Sequence, residues 1–269
     1  MYLADYHIHS RISPDANRSM TDVARAAAAA GFDELCFTDH VQPVTVGTDI
    51  RIPRYDWDAL LAEFHSAKQT MGSQITLRLG IELGDAEMDF PHTEKILADM
   101  PPLDFIIGSV HMLPEDWGCT NLYLFHPEND AKACEGIAVY LEEVKSLAQW
   151  GKFSVLGHLT LPLRYLNENY GFHLSFDPFE DAVREILQIL IDQGLGIELN
   201  ANRGNAPLPD AKWLKLYRSL GGEIITLGSD SHRAEMARCR IPENQELLKA
   251  CGFTRFCTFR QMQPVWHDL

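Results

Sequence analysis

The stretch that decides the fold is Asp5-Tyr6-His7-Ile8-His9-Ser10, at the end of a short apolar run from Tyr2 to Tyr6. The run predicts a β-strand, and because side chains alternate between the two faces of a strand, His7 and His9 point the same way. They lie about 6–7 Å apart along the strand, given a rise of about 3.3 Å per residue. Two neutral imidazoles on one face can hold one metal ion. The pair alone is a weak signal of a metal site, so further ligands must be sought in the rest of the chain.

The pattern of a strand followed by a metal-binding residue type recurs along the chain. Seven predicted strands alternate with predicted helices, which indicates a parallel sheet. Six of the strands run into His, Glu or Asp, and the sixth in order runs into a loop with Asn200 and Arg203. The residues at the strand ends are His7, His9, His40, Glu82, His111, His158, Asp230 and His232.

The elements around these positions are predicted from periodicity and from turn residues. The third strand is predicted over 75–81, an amphipathic helix over 57–71 and a further helix over 130–150. A loop is predicted over 159–176, and the tail carries a short apolar stretch over 253–259. The alternation of strands and helices favours an α/β barrel of the TIM type.

A barrel brings the strand-end residues together. The carboxyl ends of all strands in a βα barrel converge on one mouth, which is where active sites lie. A single histidine at a strand end is more often a structural or surface residue than a ligand. Six of the eleven histidines occupy such positions, however, so coincidence is a poor explanation. We therefore predict a metal site at the barrel mouth.

Length, composition and charge bound the class of protein. A chain of 269 residues suits one α/β barrel, and we see no linker or low-complexity segment, so residues 1–269 are predicted to form a single domain. Apolar residues are 46% and charged residues 23%, as in soluble globular proteins. The net charge of −15, without clusters of Lys and Arg, disfavours a nucleic-acid-binding surface. No pattern indicates an oligomeric state.

The cysteines and the apolar runs bear on the compartment. No pair has Cys-x-x-Cys spacing, so the thiols are predicted to be reduced, as in the cytosol. The six cysteines are Cys36, Cys119, Cys134, Cys239, Cys251 and Cys257. No charged and apolar leader opens the sequence, and no apolar run approaches the about 20 residues of a membrane span. We expect a cytoplasmic protein that does not bind membranes.

The motifs resemble those of the polymerase and histidinol phosphatase (PHP) superfamily. They occur in the order typical of that superfamily and span Tyr2 to His232. The pieces are Asp-Tyr-His7-Ile-His9-Ser, Phe-Thr-Asp-His40, Gly-Ile-Glu82, Gly-Ser-Val-His111, Leu-Gly-His158 and Gly-Ser-Asp230-Ser-His232. Length and motifs are similar to those of the stand-alone histidinol-phosphatases. The resemblance implies a distorted (β/α)7 barrel with three divalent metal ions, which are zinc, iron or manganese.

The resemblance also implies how the ligands are shared. The first metal ion would be held by His7, His9, Glu82 and Asp230. The second would share Glu82 and would also be held by His111 and His158. The third would be held by His40, His232 and Asp15. Many relatives have His where this chain has Asp15; Asp is a competent ligand with harder oxygen chemistry, and a turn residue after Pro14 is the alternative.

The implied activity is hydrolysis of a phosphate monoester. Clustered divalent ions lower the pKa of a bound water, so that metal-bound hydroxide exists at neutral pH. The resemblance implies L-histidinol phosphate as substrate, cleaved to L-histidinol and phosphate in histidine biosynthesis. Arg164 and Arg203 lie in loops after strands and are expected to bind the phosphate, since a guanidinium meets two oxygens in one plane. Surface salt bridges are the alternative for both. His232 or a metal-bound water is the candidate general acid.

Three other functions stay open. The first is a PHP phosphatase with another substrate, either a phosphotyrosyl protein or a nucleotide. The second is a hydrolase of C–N bonds, because amidohydrolase barrels also open with His-x-His. Those barrels usually bridge their metals with a carboxylated Lys, whereas here the third strand leads to Glu82 and no strand ends in Lys. The third is a metal-binding module without catalytic activity.

Overall fold

The fold is built on a parallel barrel sheet. The computed structural model describes residues 1–233 and 240–269. The barrel strands, in spatial order, are β1 (Ala4–Ile8), β2 (Glu34–Phe37), β4 (Thr76–Gly84), β5 (Phe105–Ser109), β6 (Val155–Leu156), β7 (Gly196–Asn200) and β8 (Ile225–Gly228). A short strand, β3 (His40–Val41), follows β2 and pairs with β4. The predicted fold class, a distorted (β/α)7 barrel, is confirmed.

The last barrel strand returns to the first. The backbone N–H of Asp230 donates to the carbonyl of His7 over 2.8 Å, and that of His9 donates to the carbonyl of Ser231 over 3.0 Å. These bonds nearly close the barrel just past β8. They also place the first and the last of the predicted ligand motifs side by side at the mouth.

Helices connect the strands and cover the barrel. Ser19 caps the first helix, since its side chain accepts from the backbone N–H of Asp22. The helices predicted over 57–71 and 130–150 are confirmed. The helices are α1 (Met20–Ala29), α2 (Trp57–Met71), α3 (Phe90–Leu97), α4 (Asp130–Trp150), α5 (Leu161–Leu163), α6 (Glu180–Asp192), α7 (Ala211–Ser219) and α8 (Ile241–Ala250). Among the helices of the described residues, none is long and apolar enough to span a membrane.

A C-terminal hairpin packs against the amino-terminal end of the barrel. It consists of β9 (Arg255–Arg260) and β10 (Gln263–Asp268), which pair antiparallel. The Tyr6 hydroxyl donates to the carbonyl of Phe259 over 2.9 Å, and the Phe259 ring lies 5.0 Å from the Phe105 ring. The apolar stretch predicted over 253–259 is thus a strand. Its partner β10 was not predicted, because half-exposed residues alternate along it instead of forming an apolar run.

Two predicted boundaries differ from the structure near the mouth. The third predicted strand, 75–81, is β4, which continues to Gly84, so Glu82 lies within the strand. The segment predicted as a loop over 159–176 is partly helical, because α5 leads into a π-helical turn over Arg164–Asn169. Pro162 is compatible with this helix because it lies in the first turn, where no N–H bond is required. The turn carries Arg164 into the protein, where its side chain is buried.

Candidate metal centre

Eight of the nine predicted metal ligands meet at the barrel mouth. Their ligand atoms form overlapping groups, and the atoms of each group lie within 4.8 Å of one another. The groups are His7–His9–Asp230, His7–Glu82–His158, His40–Glu82–His111 and His9–His40–His232. They come from the carboxyl ends of six barrel strands or from the segments that follow them, and both β1 and β8 supply two, as the barrel topology allows.

Glu82 lies at the centre of the cluster. Its Oε2 lies 2.9 Å from His40 Nδ1 and 3.3 Å from His7 Nε2. Its Oε1 lies 3.0 Å from His158 Nε2 and 3.1 Å from His111 Nε2. The side chain is 1% exposed, so the carboxylate faces imidazoles instead of water. A carboxylate whose two oxygens face different imidazole pairs fits the role of a bridge between two cations.

Several buried atoms at the centre lack hydrogen-bond partners within the described residues. They include His7 Nε2, His9 Nε2 and Glu82 Oε2, which lie close to neighbouring side chains but are not aligned for hydrogen bonding with them. A buried polar atom without a partner costs about 1–3 kcal/mol, so three of them directed into one space require a ligand. Imidazole nitrogens together with carboxylate oxygens suit first-row divalent metal ions. The residues present therefore fit the metal centre that the sequence predicts.

The charges of the cluster favour cation binding. Burial would raise the pKa of Glu82, but His7, His111 and His40 hold it well below its usual value. Burial would likewise raise the pKa of Asp230, and Arg164 with the neighbouring imidazoles keeps it low. Burial lowers the pKa of His9 to about 3. Glu82 and Asp230 are thus ionised and His9 is neutral, as metal binding requires. Burial would lower the pKa of His7, His40 and His111, but nearby carboxylates outweigh burial and raise it, so these residues would release protons when a metal ion binds.

Asp15 reaches the same cluster from the loop after β1. Its Oδ2 lies 3.1 Å from His232 Nε2 and 3.6 Å from His40 Nε2. The two imidazoles hold the pKa of Asp15 below its usual value, although its partial burial opposes this. The side chain is half exposed at the rim of the mouth. Its position suits the third metal ion, and its role as a ligand stays a prediction.

A cavity of about 540 Å³ opens over the cluster. Its floor includes His111, His158 and Asp230, and its walls include Leu124, Tyr165 and Arg203. The volume lies within the range of small-molecule sites.

The two predicted phosphate-binding arginines occupy different environments. Arg203 is exposed at the rim, in a left-handed backbone conformation with φ 54°. Arg164 also borders the cavity, but its side chain is buried and makes three hydrogen bonds. Its nitrogens donate to Asp230 Oδ2, Asn202 Oδ1 and Asn200 Oδ1 over 2.7, 2.7 and 3.1 Å. Phosphate binding by both arginines stays a prediction.

Sequence reasoning missed two residues that contact the Nδ1 atoms of predicted histidine ligands. Glu198 Oε1 lies 2.7 Å from His7 Nδ1, and the Gln42 side-chain amide lies 3.1 Å from His111 Nδ1. A signal for Glu198 was available, because it is a carboxylate between two apolar residues, Ile197 and Leu199, of the strand Gly196–Asn200. Since charged residues are rarely buried without a partner, such a position indicates a specific role.

Fold and site together define a metal-binding parallel βα barrel. The chain belongs to the PHP domain family, whose model matches residues 5–202.

Similar proteins cover nearly the whole chain. The histidinol-phosphatase of Lactococcus lactis subsp. lactis (strain IL1403) is 29% identical over 268 residues, 96% of this chain and 95% of the relative. A protein of Deinococcus radiodurans named "Probable histidinol-phosphatase" is 30% identical over 273 residues, 97% of this chain and 99% of the relative. The crystal structure of histidinol phosphate phosphatase from Lactococcus lactis, complexed with zinc, L-histidinol and phosphate, superposes with a TM-score of 0.80 at 25% identity. The superposition covers 98% of each chain.

Proposed function

We propose that the protein is a metal-dependent phosphomonoesterase that hydrolyses L-histidinol phosphate to L-histidinol and phosphate. The observation that carries the proposal is the cluster of unpartnered buried imidazole and carboxylate atoms beneath a cavity of about 540 Å³. It is supported by the full-length similarity to histidinol-phosphatases and to a structure that holds zinc, L-histidinol and phosphate. The substrate is accordingly a small phosphate ester.

The nine clustered residues would hold three divalent ions, each zinc, iron or manganese. The ligand set is His7, His9, Asp15, His40, Glu82, His111, His158, Asp230 and His232. When bound, the ions would supply Lewis acidity and an activated water.

The remaining polar groups around the cavity have separate tasks. Arg203 lies at the rim, where its guanidinium can meet two oxygens of an entering phosphate. Arg164 borders the same space but also pairs with Asp230, so it orients that carboxylate. The proposed proton donor to the departing alcohol is His232, which lines the cavity, if its ring does not hold the third ion, and otherwise a metal-bound water. Asp15, 3.1 Å from His232 Nε2, would keep this ring oriented.

The alternatives are weaker on this geometry. The carboxylate of Glu82 occupies the centre of the cluster, where a C–N hydrolase of the amidohydrolase type would place a carboxylated lysine. All nine predicted ligands are present, which disfavours a module that has lost its metals. A phosphotyrosyl protein or a nucleotide remains the second candidate substrate, because aromatic and apolar side chains line the cavity at Tyr123, Leu124 and Tyr165.

The test is a comparison of phosphate esters on one preparation. Purified protein reconstituted with Zn²⁺ or Mn²⁺ is given L-histidinol phosphate, a phosphotyrosine peptide and a nucleoside monophosphate, and phosphate release is measured. We expect kcat/KM for L-histidinol phosphate to exceed the others by at least about tenfold, which is about 1.4 kcal/mol in the transition state. A higher value for another ester would overturn the substrate, and no hydrolysis of any ester would overturn the activity.

We also propose that residues 1–269 form one domain and that the protein works in the cytoplasm. The first is supported by the hairpin β9–β10, which packs on the barrel through Phe259. The second is supported by the thiols, because the five described cysteines are free, as expected in a reducing compartment. Cys239 lies outside the described residues.

A further inference from the structure

One barrel strand supplies no predicted metal ligand. The strand is β7, and the polar residues at its carboxyl end are Glu198 and Asn200, which are both 0% exposed. Each of the other barrel strands leads into at least one of the nine predicted ligands. The carboxyl end of β7 therefore has two buried polar side chains in place of a predicted ligand. These side chains face predicted ligands from neighbouring strands.

We propose that Glu198 is a positioning residue of the metal centre, which orients His7 through one carboxylate oxygen and His158 through the other. The proposal rests on the metal centre proposed above. Glu198 Oε1 lies 2.7 Å from His7 Nδ1, and Glu198 Oε2 accepts from the backbone N–H of His158 over 2.8 Å. Glu198 thus joins ligands that come from β1 and β6.

The contact with His7 selects one form of the imidazole. A carboxylate oxygen can only accept, so Nδ1 of His7 carries a proton, and Nε2 is the ring nitrogen that would bind a metal ion. That Nε2 is buried and without a hydrogen-bond partner in the described part of the chain, 3.3 Å from Glu82 Oε2. Metal-binding histidines characteristically donate their other ring N–H to a carboxylate or carbonyl, which fixes the ring and raises its basicity.

The contact with His158 holds an unusual backbone. His158 has φ 21°, a positive value that residues other than glycine seldom adopt. Such a conformation persists only where the surroundings fix it. The hydrogen bond from its N–H to Glu198 Oε2 supplies this support directly beneath the ligand.

The same network reaches a third ligand strand. Asn200 Nδ2 donates to both oxygens of Glu198 over 3.2 Å, and Asn200 Oδ1 accepts from Arg164 over 3.1 Å. Arg164 in turn donates to Asp230 Oδ2 over 2.7 Å. A continuous set of hydrogen bonds therefore connects Glu198 with the ligand that follows β8.

Glu198 is closely packed on the side that faces β8. A Cβ atom at Gly228 on β8 would overlap Glu198 Oε1 and the Cβ of His7. Glycine at this position therefore lets β8 approach the Glu198–His7 pair closely.

The substitution Glu198→Gln tests the hydrogen bonds of Glu198 separately from the space that its side chain fills, because Gln has nearly the same shape. Its amide oxygen can serve His7 or the backbone N–H of His158, but not both, and the NH₂ group then faces the other donor. If the NH₂ group faces His7, it favours the proton on Nε2, where a metal ion would otherwise bind. Either arrangement removes one of the two orienting bonds.

The experiment measures zinc affinity, with Glu34→Gln as the matched control. Glu34 is also a buried barrel carboxylate, but it contacts Tyr2, Tyr6 and Arg78 at the other end of the barrel. Apoprotein is titrated with Zn²⁺ in competition with a chromophoric chelator, and the folded fraction is checked by circular dichroism. We expect Glu198→Gln to weaken the affinity by about 10–100-fold, the usual effect of removing such a partner, and Glu34→Gln to stay within about threefold of wild type, less than 1 kcal/mol.

The outcomes separate this proposal from the metal centre itself. Wild-type affinity in folded Glu198→Gln would overturn the positioning role alone. Failure of the wild type to hold Zn²⁺ would overturn the metal centre and the role of Glu198 with it. If Glu198→Gln does not fold, Glu198→Asp keeps the buried charge but withdraws the carboxylate from His7. It should lose zinc affinity in the same way, and wild-type affinity there would overturn the proposal.

Discussion

Arg164 Nη1 lies 2.7 Å from Asp230 Oδ2, and both side chains are buried. Arg164, which the sequence predicts to bind phosphate, thus forms an ion pair with Asp230, which the sequence predicts to bind a metal ion. Arg203, by contrast, is exposed at the rim of the same cavity. The two arginines should therefore be distinguishable by experiment.

Replacement of each arginine by Ala should give a different pattern. Arg203→Ala should lower kcat/KM for L-histidinol phosphate by about 2–4 kcal/mol in transition-state terms, the range for loss of one donor, with metal content unchanged. Arg164→Ala should lower kcat/KM and also the metal content, because Asp230 loses its buried partner. Steady-state kinetics together with elemental analysis on each variant make the comparison.

The controls for these two substitutions are Arg203→Lys and Arg25→Ala. Arg203→Lys should restore little activity, since an ammonium cannot meet two phosphate oxygens in one plane. Arg25→Ala, on the exposed face of α1, should leave kcat/KM unchanged. Activity of Arg203→Ala within about threefold of wild type, less than 1 kcal/mol, would show that the phosphate is bound elsewhere.

Glu82→Gln should abolish turnover while the fold survives. Both oxygens of Glu82 face imidazoles within 3.3 Å, so a neutral amide removes the central negative charge of the cluster. An amide also bridges two cations poorly, so less metal should be retained after dialysis. Circular dichroism checks the fold. Near-normal phosphate release with full metal content would show that Glu82 does not bridge metals.

Glu87→Gln should stabilise the protein at neutral pH. Both carboxylate oxygens of Glu87 are buried, without hydrogen-bond partners among residues 1–233 and 240–269, and burial followed by the nearby Asp85 raises the pKa of Glu87 well above 4.5. The unfolded chain releases this proton near its usual pKa, whereas the folded chain retains it. The contribution of Glu87 to stability is therefore full below about pH 4.5 and is lost as the pH rises through the folded pKa.

The raised pKa of Glu87 sets the size of the expected change in Tm. One pKa unit corresponds to about 1.4 kcal/mol, and 1 kcal/mol shifts the Tm of a chain of this size by roughly 2–4 °C. Glu87→Gln should raise the Tm by about 3 °C or more at pH 8, and by less at pH 5. Glu142→Gln, exposed on α4, should shift the Tm little at either pH. An equal or lower Tm for Glu87→Gln at pH 8 would mean that Glu87 is stably ionised in the fold.

Tyr6→Phe should weaken the junction between the barrel and the C-terminal hairpin. The hydroxyl of Tyr6 lies within hydrogen-bond distance of the Phe259 carbonyl and the Glu34 carboxylate, both buried, which share its single proton, so its removal should cost about 1–3 kcal/mol of unfolding free energy. Tyr55→Phe is the control, because the buried hydroxyl of Tyr55 has no hydrogen-bond partner in the described residues and its loss should be neutral or stabilising. Urea unfolding followed by fluorescence measures both. Equal midpoints for Tyr6→Phe and wild type would contradict the proposed junction.

The sequence predicted those features that follow from local periodicity. His7 and His9 share a face because strand side chains alternate, and Glu82 and Asp230 join them because the barrel brings the strand ends together. Helices 57–71 and 130–150 have the amphipathic spacing and the caps of ordinary helices. The family motifs predicted the ligand set, and the role of these residues as ligands stays a prediction.

The features that sequence reasoning missed depend on tertiary contacts. The turn over Arg164–Asn169 is helical because its buried side chains meet partners from distant strands, and a single loop arginine gives no sign of this. Glu198 was not singled out, because one acidic residue in a short strand does not reveal that its oxygens meet His7 and His158. β10 pairs with β9 as a half-exposed hairpin, whose weak alternation resembles a polar tail.

The most direct test of the account joins metal content to activity. Apoprotein is titrated with Zn²⁺ or Mn²⁺, and bound metal per chain and phosphate release from L-histidinol phosphate are measured at each step. Activity should appear only when more than one ion is bound per chain, because the ligand atoms form several overlapping groups, two of which contain Glu82. Full activity with one ion or fewer per chain, or no phosphate release at full loading, would contradict it.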